Sequence, residues 1–509
     1  MIGVSRGNPR KKLRFWNIFL TNICVIFTIE ACASSAKLGY SSVFWWLLLF
    51  VTYLLPYGLI VSELGTTYSG GAGVYEWVRK AFGPRWGARE AWWYWVNYFT
   101  WLASIAVLFP VAVNAILPRP MPMWLSMGIE LAFIWFVVLV SSYKVDQTNW
   151  IMNSGALSDL FLAICVIGVG LWYSNSHGFS TPVTPSSFVP RADDLRSLSG
   201  LDIIIYNYMG TEVIATFVNY MDNPKRDIPR SVVFAGLAML GIYLAISMGV
   251  SIAIPPDQIE ADSGLLDAMR LMLGQRNVLY RIVSVCFLWS CFTDMMSWAT
   301  GVAQVTHQAG IEGALPRVFG YETRKNHLYV GATVITGVVA SALVLAEPLF
   351  LSWGIGVFDV VFSIDVVYTL LAYVPMFPAF LKLRRVDPDC ERPYKVPGSY
   401  RLLTVVSWIA VAELVVSIVM TSVPLNTTPS ELEKLPLLVM SLMVFVLGEV
   451  VSGACVRGHG SAREAQGASR KVATQPIVLC DRAGRSTRGR SPSRRGGAAT
   501  PPRAGRRSP

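Results

Sequence analysis

Apolar runs of roughly 18 to 25 residues, parted by short charged clusters, recur along this chain and restrict its fold more than any other feature. Each run is long enough to cross roughly 30 Å of hydrocarbon as a helix. A membrane β-barrel would instead alternate polar and apolar residues in segments of about ten, and no such pattern is present. The runs fall at 15–36, 43–62, 90–116, 123–140, 150–173, 200–218, 231–254, 277–302, 328–346, 350–380, 402–422 and 435–453. They predict an all-α polytopic membrane protein with about 12 transmembrane helices, or eleven if one of the short fourth, ninth and twelfth runs is discounted. Composition agrees. Only 15% of residues are charged, where a soluble chain would carry about a quarter, and the mean hydropathy is +0.47.

Lys and Arg orient the spans. With the N-terminus inside and the basic tail left out, inner loops hold 22 of them and outer loops 7. Both termini are therefore expected in the cytoplasm, with the plasma membrane as host. The net charge of +11 follows from this asymmetry and calls for no nucleic-acid partner. Arg10, Lys11, Lys12 and Arg14 ahead of a run ending Ala31-Cys32-Ala33 imitate a cleavable signal peptide. Asn17, Asn22 and Glu30 interrupt that run, and a retained first span is expected.

The chain reads as a cytoplasmic N-terminus (1–14), a first five-helix unit (15–173), a second unit of opposite topology (200–380), two further helices (402–453) and a disordered basic tail (454–509). An odd number of spans inverts the second unit, and inverted repeats bind substrate near the bilayer midplane between broken helices. The first span of each unit holds a polar interruption, Thr28-Ile29-Glu30-Ala31-Cys32-Ala33-Ser34-Ser35 and Asn207-Tyr208-Met209-Gly210-Thr211-Glu212. Gly210 tolerates unusual dihedrals, and an opened helix there offers amides to a carboxylate and carbonyls to an ammonium. Tyr206 could close over such a ligand. The tail, rich in Arg, Pro, Gly and Ser, cannot bury enough to order itself. It reads as a solvated segment, or as one drawn to anionic lipid and tuned at Ser491 and Ser508.

Carboxylates within a span are costly unless paired, hydrated or protonated. Candidates are Glu30, Glu130, Asp159, Asp202, Glu212, Asp294, Asp359, Asp365, Glu413 and Glu449. Asp202, Glu413 and Glu449 are expected to face water at helix ends. Glu30, Asp159, Glu212 and Asp294 sit deeper, and Asp159, Glu212 and Asp294 are candidates for proton coupling. Trp92, Trp93, Tyr94 and Trp95 read as an interfacial belt, with Tyr98 and Trp101 deeper along a substrate path. The cysteines have no zinc spacing, and those inside apolar runs read as helix-packing residues. No phosphate-binding, zinc-protease or nucleophile-elbow motif occurs, and no two of the four histidines have ligand spacing. An enzyme, a metal site and a cofactor are therefore not expected.

Four stretches carry a resemblance. Tyr208-Met-Gly-Thr-Glu with Asn223-Pro-Lys-Arg-Asp-Ile-Pro-Arg230 is similar to the sixth helix and following loop of the amino acid–polyamine–organocation (APC) transporters. Glu63-Leu-Gly-Thr-Thr-Tyr with Gly70-Gly-Ala-Gly-Val-Tyr-Glu-Trp77 and Ala81-Phe-Gly83 resembles their second loop. Gly310 to Pro316 and Arg392-Pro-Tyr-Lys-Val-Pro-Gly398 resemble the loops after helices eight and ten. Phe44-Trp-Trp46 and Trp298-Ala-Thr-Gly look closest to the glutamate/γ-aminobutyrate antiporter-like branch. The resemblance implies the LeuT-type fold, a 5+5 inverted repeat plus two extra helices, working by alternating access. It implies an amino-acid α-carboxylate at the helix-one break, around Ile26, Phe27, Thr28 and Glu30. It implies an amine at Tyr206, Asn207, Met209, Gly210 and Thr211, with Glu212 in the place of an acid linked to proton coupling. The break at Val25-Ile26-Phe27 departs from the family by having no glycine. Some relatives carry a lysine in helix five that stands in for sodium; here the helix has Asp159 and no lysine, so proton and sodium both stand as coupling ions. The expected activity is secondary transport or exchange of an amino acid or related amine. A non-transporting nutrient sensor is the alternative, and a channel is a distant third.

Overall fold

The protein is described from a computed structural model covering residues 13–27, 35–117, 121–141, 145–180, 182–190, 200–255, 258, 264–323, 328–352, 357–432 and 434–469. Among these residues every regular element is helical, and the one β feature is an isolated parallel bridge between Leu13 and Met221. Ten helices are long and apolar enough to cross a membrane: Gly39–Thr67, Pro84–Asn114, Met123–Ser141, Trp150–His177, Pro224–Ser251, Val278–Ile311, Val330–Phe350, Val360–Val386, Tyr400–Ser422 and Lys434–Gly458. The three short runs are all among them. The two expected spans missing from this set are the first and the sixth. The first is the twelve-residue helix Phe15–Ile26, and the sixth is split into Leu201–Asn207 and Val213–Thr216.

Local chemistry explains where helices start and bend. Gly83, at φ 92°, ends the Gly73–Phe82 helix and lets Pro84 open the next one, where its missing N–H costs nothing. Asn277 and Ser399 cap their helices by accepting from Leu279 N (2.8 Å) and Leu402 N (3.3 Å). The second span widens into a five-residue π turn at Phe50–Leu54, next to Pro56, which cannot donate to the preceding turn. Helices then approach closely where side chains are small. A Cβ at Gly249 would lie 2.8 Å from the Ile167 Cα, so the Val145–His177 and Pro224–Ser251 backbones touch there.

The Pro84–Ile116 helix is the buried centre of the bundle and packs against Val357–Tyr373, Val278–Ile311 and Val330–Leu345. Trp92, Trp93 and Trp95 lie within it at 5–6% exposure, so they are packing residues and not the expected belt. A Cβ at Gly448 would collide with the Trp92 ring, and Trp95 Nε1 donates to Thr336 Oγ1 at 3.0 Å. The loops expected on one side of the membrane gather at one end. Glu63 accepts from Arg384, lies 3.3 Å from Arg392 and accepts Val396 N at 2.7 Å. Glu312 binds Arg79 and Tyr75, and Leu13 exchanges backbone hydrogen bonds with Tyr220 O (2.8 Å) and Asp222 N (3.1 Å). Of the carboxylates expected in water, Asp202 is buried and accepts from Thr421, while Glu449 stays part-exposed and pairs with Arg89. Cys24, Cys165, Cys286 and Cys291 are free thiols in helix contacts.

Candidate functional site

The two interrupted spans meet where each is interrupted. The first helix ends as Phe27 turns extended (ψ 103°), which leaves the last carbonyls without intrahelical donors. Trp298 Nε1 donates to Val25 O and Tyr243 Oη to Ile26 O, both at 2.9 Å. In the other span the chain leaves helix after Asn207, passes Gly210 at φ 110° and resumes at Val213. A Cβ on Gly210 would lie 2.7 Å from Val25 O and 3.2 Å from the Trp298 ring. Glycine is therefore required twice over, by the left-handed backbone and by the approach of the first helix.

Beside this junction lies a narrow cavity, about 270 Å³ including its open mouth and closed down here to room for about one water. Its walls are Tyr206 and Met209 from the sixth span, Asn97 and Trp101 from the third, Trp298 from the eighth, and Asp365 and Thr369 from the tenth. Asp365 is 1% exposed, and its Oδ2 accepts from Tyr206 Oη at 2.7 Å while Oδ1 accepts from Thr369 Oγ1 at 3.1 Å. Trp101 meets Trp298 edge-on at 5.6 Å. Asn97 Nδ2 is buried with no hydrogen-bond partner among the described residues. Among the described lining residues none is cationic, so the cavity pairs one carboxylate with aromatic faces. Such a site attracts a positive charge from two sides, by the carboxylate and by the ring quadrupoles.

Glu212 occupies different ground. It is 1% exposed and held by tyrosines from three spans. Tyr57 and Tyr94 (2.9 Å) donate to its carboxylate, and the Tyr373 hydroxyl faces the same group. Tyr57 Oη also accepts Glu212 N, and Tyr373 Oη accepts Gly210 N, both at 3.2 Å. The cluster thus grips the backbone of the break as well as the acid.

The sequence-derived candidates separate accordingly. Tyr206 and Met209 line the cavity, and Gly210 backs it. Ile26 and Phe27 are buried beside it, Phe27 against Tyr243 at 5.6 Å. Asn207 and Thr211 are buried in the break and are not lining residues. Asp159 and Asp294 form a second polar locus near Cys24, where Asp159 accepts from Ser290. Thr28 and Glu30 lie outside the described residues, as does the side chain of Asp359. Asn97 and Thr369 were not among the sequence candidates, and Asp365, though one of the candidate carboxylates, was not assigned to the binding site. Their only sequence signal was an acid and a threonine at i, i+4 within an apolar run. Trp101 lines the cavity, whereas Tyr98 donates to Met295 O at 3.2 Å outside it. Among the described residues no three His, Cys, Asp or Glu side chains are placed to hold a metal.

Comparison with known proteins adds an independent line. The amino acid permease family matches residues 13–447. A probable agmatine/putrescine antiporter of Lactococcus lactis subsp. lactis is 39% identical over 450 residues, which cover 87% of this chain and 95% of the relative. A glutamate/γ-aminobutyrate antiporter of the same organism is 23% identical over 406 residues, 76% of this chain and 79% of the relative. A polyamine transporter of Arabidopsis thaliana is 23% identical over 352 residues, 67% of this chain and 66% of the relative.

Proposed function

The chain belongs to the amino acid permease family of APC transporters, and from that premise we propose that it exchanges amine cations that carry no carboxylate. Membership makes it a permease for amino acids or amines. The observation that selects amines is Asp365, a buried carboxylate in a cavity whose other walls are aromatic and neutral. An ammonium donates to Asp365 and lies against Trp101 and Trp298. An α-carboxylate in the same space would meet Asp365 with no cation among the described lining residues beside it, and like charges in a dry site are costly. Glutamate is therefore a poor substrate, and diamines or guanidino-amines of the kind named for the 39% identical relative are good ones.

The cycle is alternating access. Units 15–173 and 200–380 act as inverted repeats, a reading supported by the two interrupted spans standing first in each. The Gly210 break bends as the cavity opens to one side and then the other. Glu212, bound to the break through Tyr57 and Tyr373, carries the proton that makes exchange pH-dependent. Both termini lie on the cytoplasmic side of the plasma membrane, following the 22-to-7 asymmetry of Lys and Arg.

Liposomes loaded with unlabelled putrescine, agmatine or glutamate and given labelled putrescine outside test this directly. Rapid uptake into amine-loaded vesicles, with little into glutamate-loaded or empty ones, is the expected result. Faster exchange against glutamate would overturn the amine reading. Equal uptake into empty vesicles would replace exchange by uniport.

A further inference from the structure

The Pro84–Ile116 helix carries one acid, Glu90, and neither the transport cavity nor the tyrosine cluster around Glu212 uses it. Glu90 is 0% exposed, and neither of its carboxylate oxygens has a hydrogen-bond partner among the described residues. The one charge acting on it there is another carboxylate, Glu212, and the titratable group beside it on its own helix is Tyr94. No basic side chain of the helices packed around it reaches it among those residues. A purely structural acid would be paired or hydrogen-bonded, because a buried charge without a partner is costly. Glutamine or leucine would fill the same space without that cost.

The place of Glu90 on its helix narrows what it can serve. Glu90, Tyr94, Asn97 and Trp101 follow one another at spacings of four, three and four. At 3.6 residues per turn they fall within about 60° of one face. Asn97 and Trp101, farthest along, line the cavity, and Tyr94 donates to Glu212 at 2.9 Å. Glu90 stands one turn short of Tyr94, about 9 Å along the helix from Pro84. That is the end of the bundle where Arg79 pairs with Glu312, and the Lys and Arg asymmetry assigns it to the cytoplasm. Glu90 is not among the residues lining the cavity, so a substrate held there does not touch it. A fully enclosed carboxylate with no cation beside it answers to the smallest partner, a proton.

We propose that Glu90 is the inner relay of the coupling proton, passing it between cytoplasmic water and Glu212 by way of the Tyr94 hydroxyl. The proposal rests on the reading of Glu212 as the coupling acid and adds to it a side of entry. Water that enters as the inner half opens protonates Glu90 and bridges it to Tyr94. The Tyr94 Oη–H proton passes to the Glu212 carboxylate it already faces, and the proton from Glu90 replaces it through that water. Tyr94 ends neutral, Glu212 ends protonated and Glu90 ends ionised in contact with water. The reverse sequence returns the proton to the same side. With the inner half closed, two carboxylates in electrostatic reach and no cation between them resist being charged together, so the proton stays on the pair.

The test uses membrane vesicles from cells expressing the full-length protein, loaded with unlabelled putrescine and given labelled putrescine outside. The pH of lumen and medium is set separately. Everted vesicles turn the cytoplasmic face to the medium and right-side-out vesicles turn it to the lumen, so each face is titrated in turn. Glu90→Gln should lose the response of exchange to cytoplasmic-side pH and keep the response to the other side, with KM within about threefold of wild type. Glu90→Asp retains a titratable carboxyl and should retain both responses. In the Glu212→Gln background, Glu90→Gln should change the pH profile no further, because the two acids serve one route. A full cytoplasmic-side response in Glu90→Gln overturns the proposal. So do an equal loss on both faces, a raised KM with intact pH responses, which would make Glu90 a substrate contact, and loss of folded protein, which would make it structural. Failure of the premise shows separately. If Glu212→Gln keeps the wild-type pH responses, the coupling reading falls and the relay with it; if Glu212→Gln flattens them and Glu90→Gln does not, the relay alone falls.

Discussion

Asp365 and Glu212 are both carboxylates at 1% exposure near the same broken helix, yet their surroundings suit them to different work. Glu212 meets tyrosines from three spans and is not among the residues lining the cavity beside the break. Asp365 accepts from Tyr206 and Thr369 and forms a wall of the open space. An ionised carboxylate offers about four acceptor positions. Where the protein fills most of them, the acid belongs to the scaffold and can answer only to a proton. Where the group forms part of a cavity wall, a ligand entering the cavity can reach it. Burial alone therefore does not distinguish a binding acid from a coupling acid; position on the cavity wall or away from it does.

Substitution can break this contrast, and Gly210→Val should have the largest effect, because it strikes both acids together. A branched side chain at φ 110° with its Cβ 2.7 Å from Val25 O displaces the break that Tyr373 holds and the Trp298 ring that walls the cavity. Exchange should fall to background while the protein still reaches the membrane; wild-type uptake would refute the placement of the site. Asp365→Asn follows, with a loss of about 100-fold in amine exchange, the upper end for a charged hydrogen bond in a dry site. Retained putrescine uptake in that variant would remove Asp365 from the ligand. Glu212→Gln should leave substrate KM within about threefold and flatten the pH profile of exchange. A profile of unaltered shape would end the coupling role. Tyr206→Phe takes one of the donors from Asp365 and should raise KM about fivefold. Tyr94→Phe leaves Glu212 with Tyr57 and Tyr373 and should cost less than about threefold in rate.

What the sequence could reveal follows from the range of the interactions. Span lengths depend on local composition, so ten of the twelve expected runs appear as full-length helices and the other two as the interrupted ones. The break at Gly210 was also legible, because a glycine beside Asn207, Thr211 and Glu212 is a local conflict within an apolar run. Asp365 was not, because what makes it a site residue is Tyr206, 159 positions away. The Trp92–Trp95 cluster misled for the opposite reason. Aromatic density near a span end signals an interface only if the helix touches lipid, and Pro84–Ile116 is enclosed by its neighbours. The helix-one break lacks family glycines, and the structure supplies a partial account: Val25 and Ile26 carbonyls are capped by the side chains of Trp298 and Tyr243.

The backbone bonds between Leu13 and the Tyr220–Asp222 segment have a mechanical consequence. They pin the start of the first span to the end of the sixth, while Gly210 lies against Val25 farther along. Two segments joined at one end and in contact midway cannot slide past each other independently. Because the pin is made of main-chain atoms, the side chains at positions 13 and 220–222 can drift in sequence while the linkage persists.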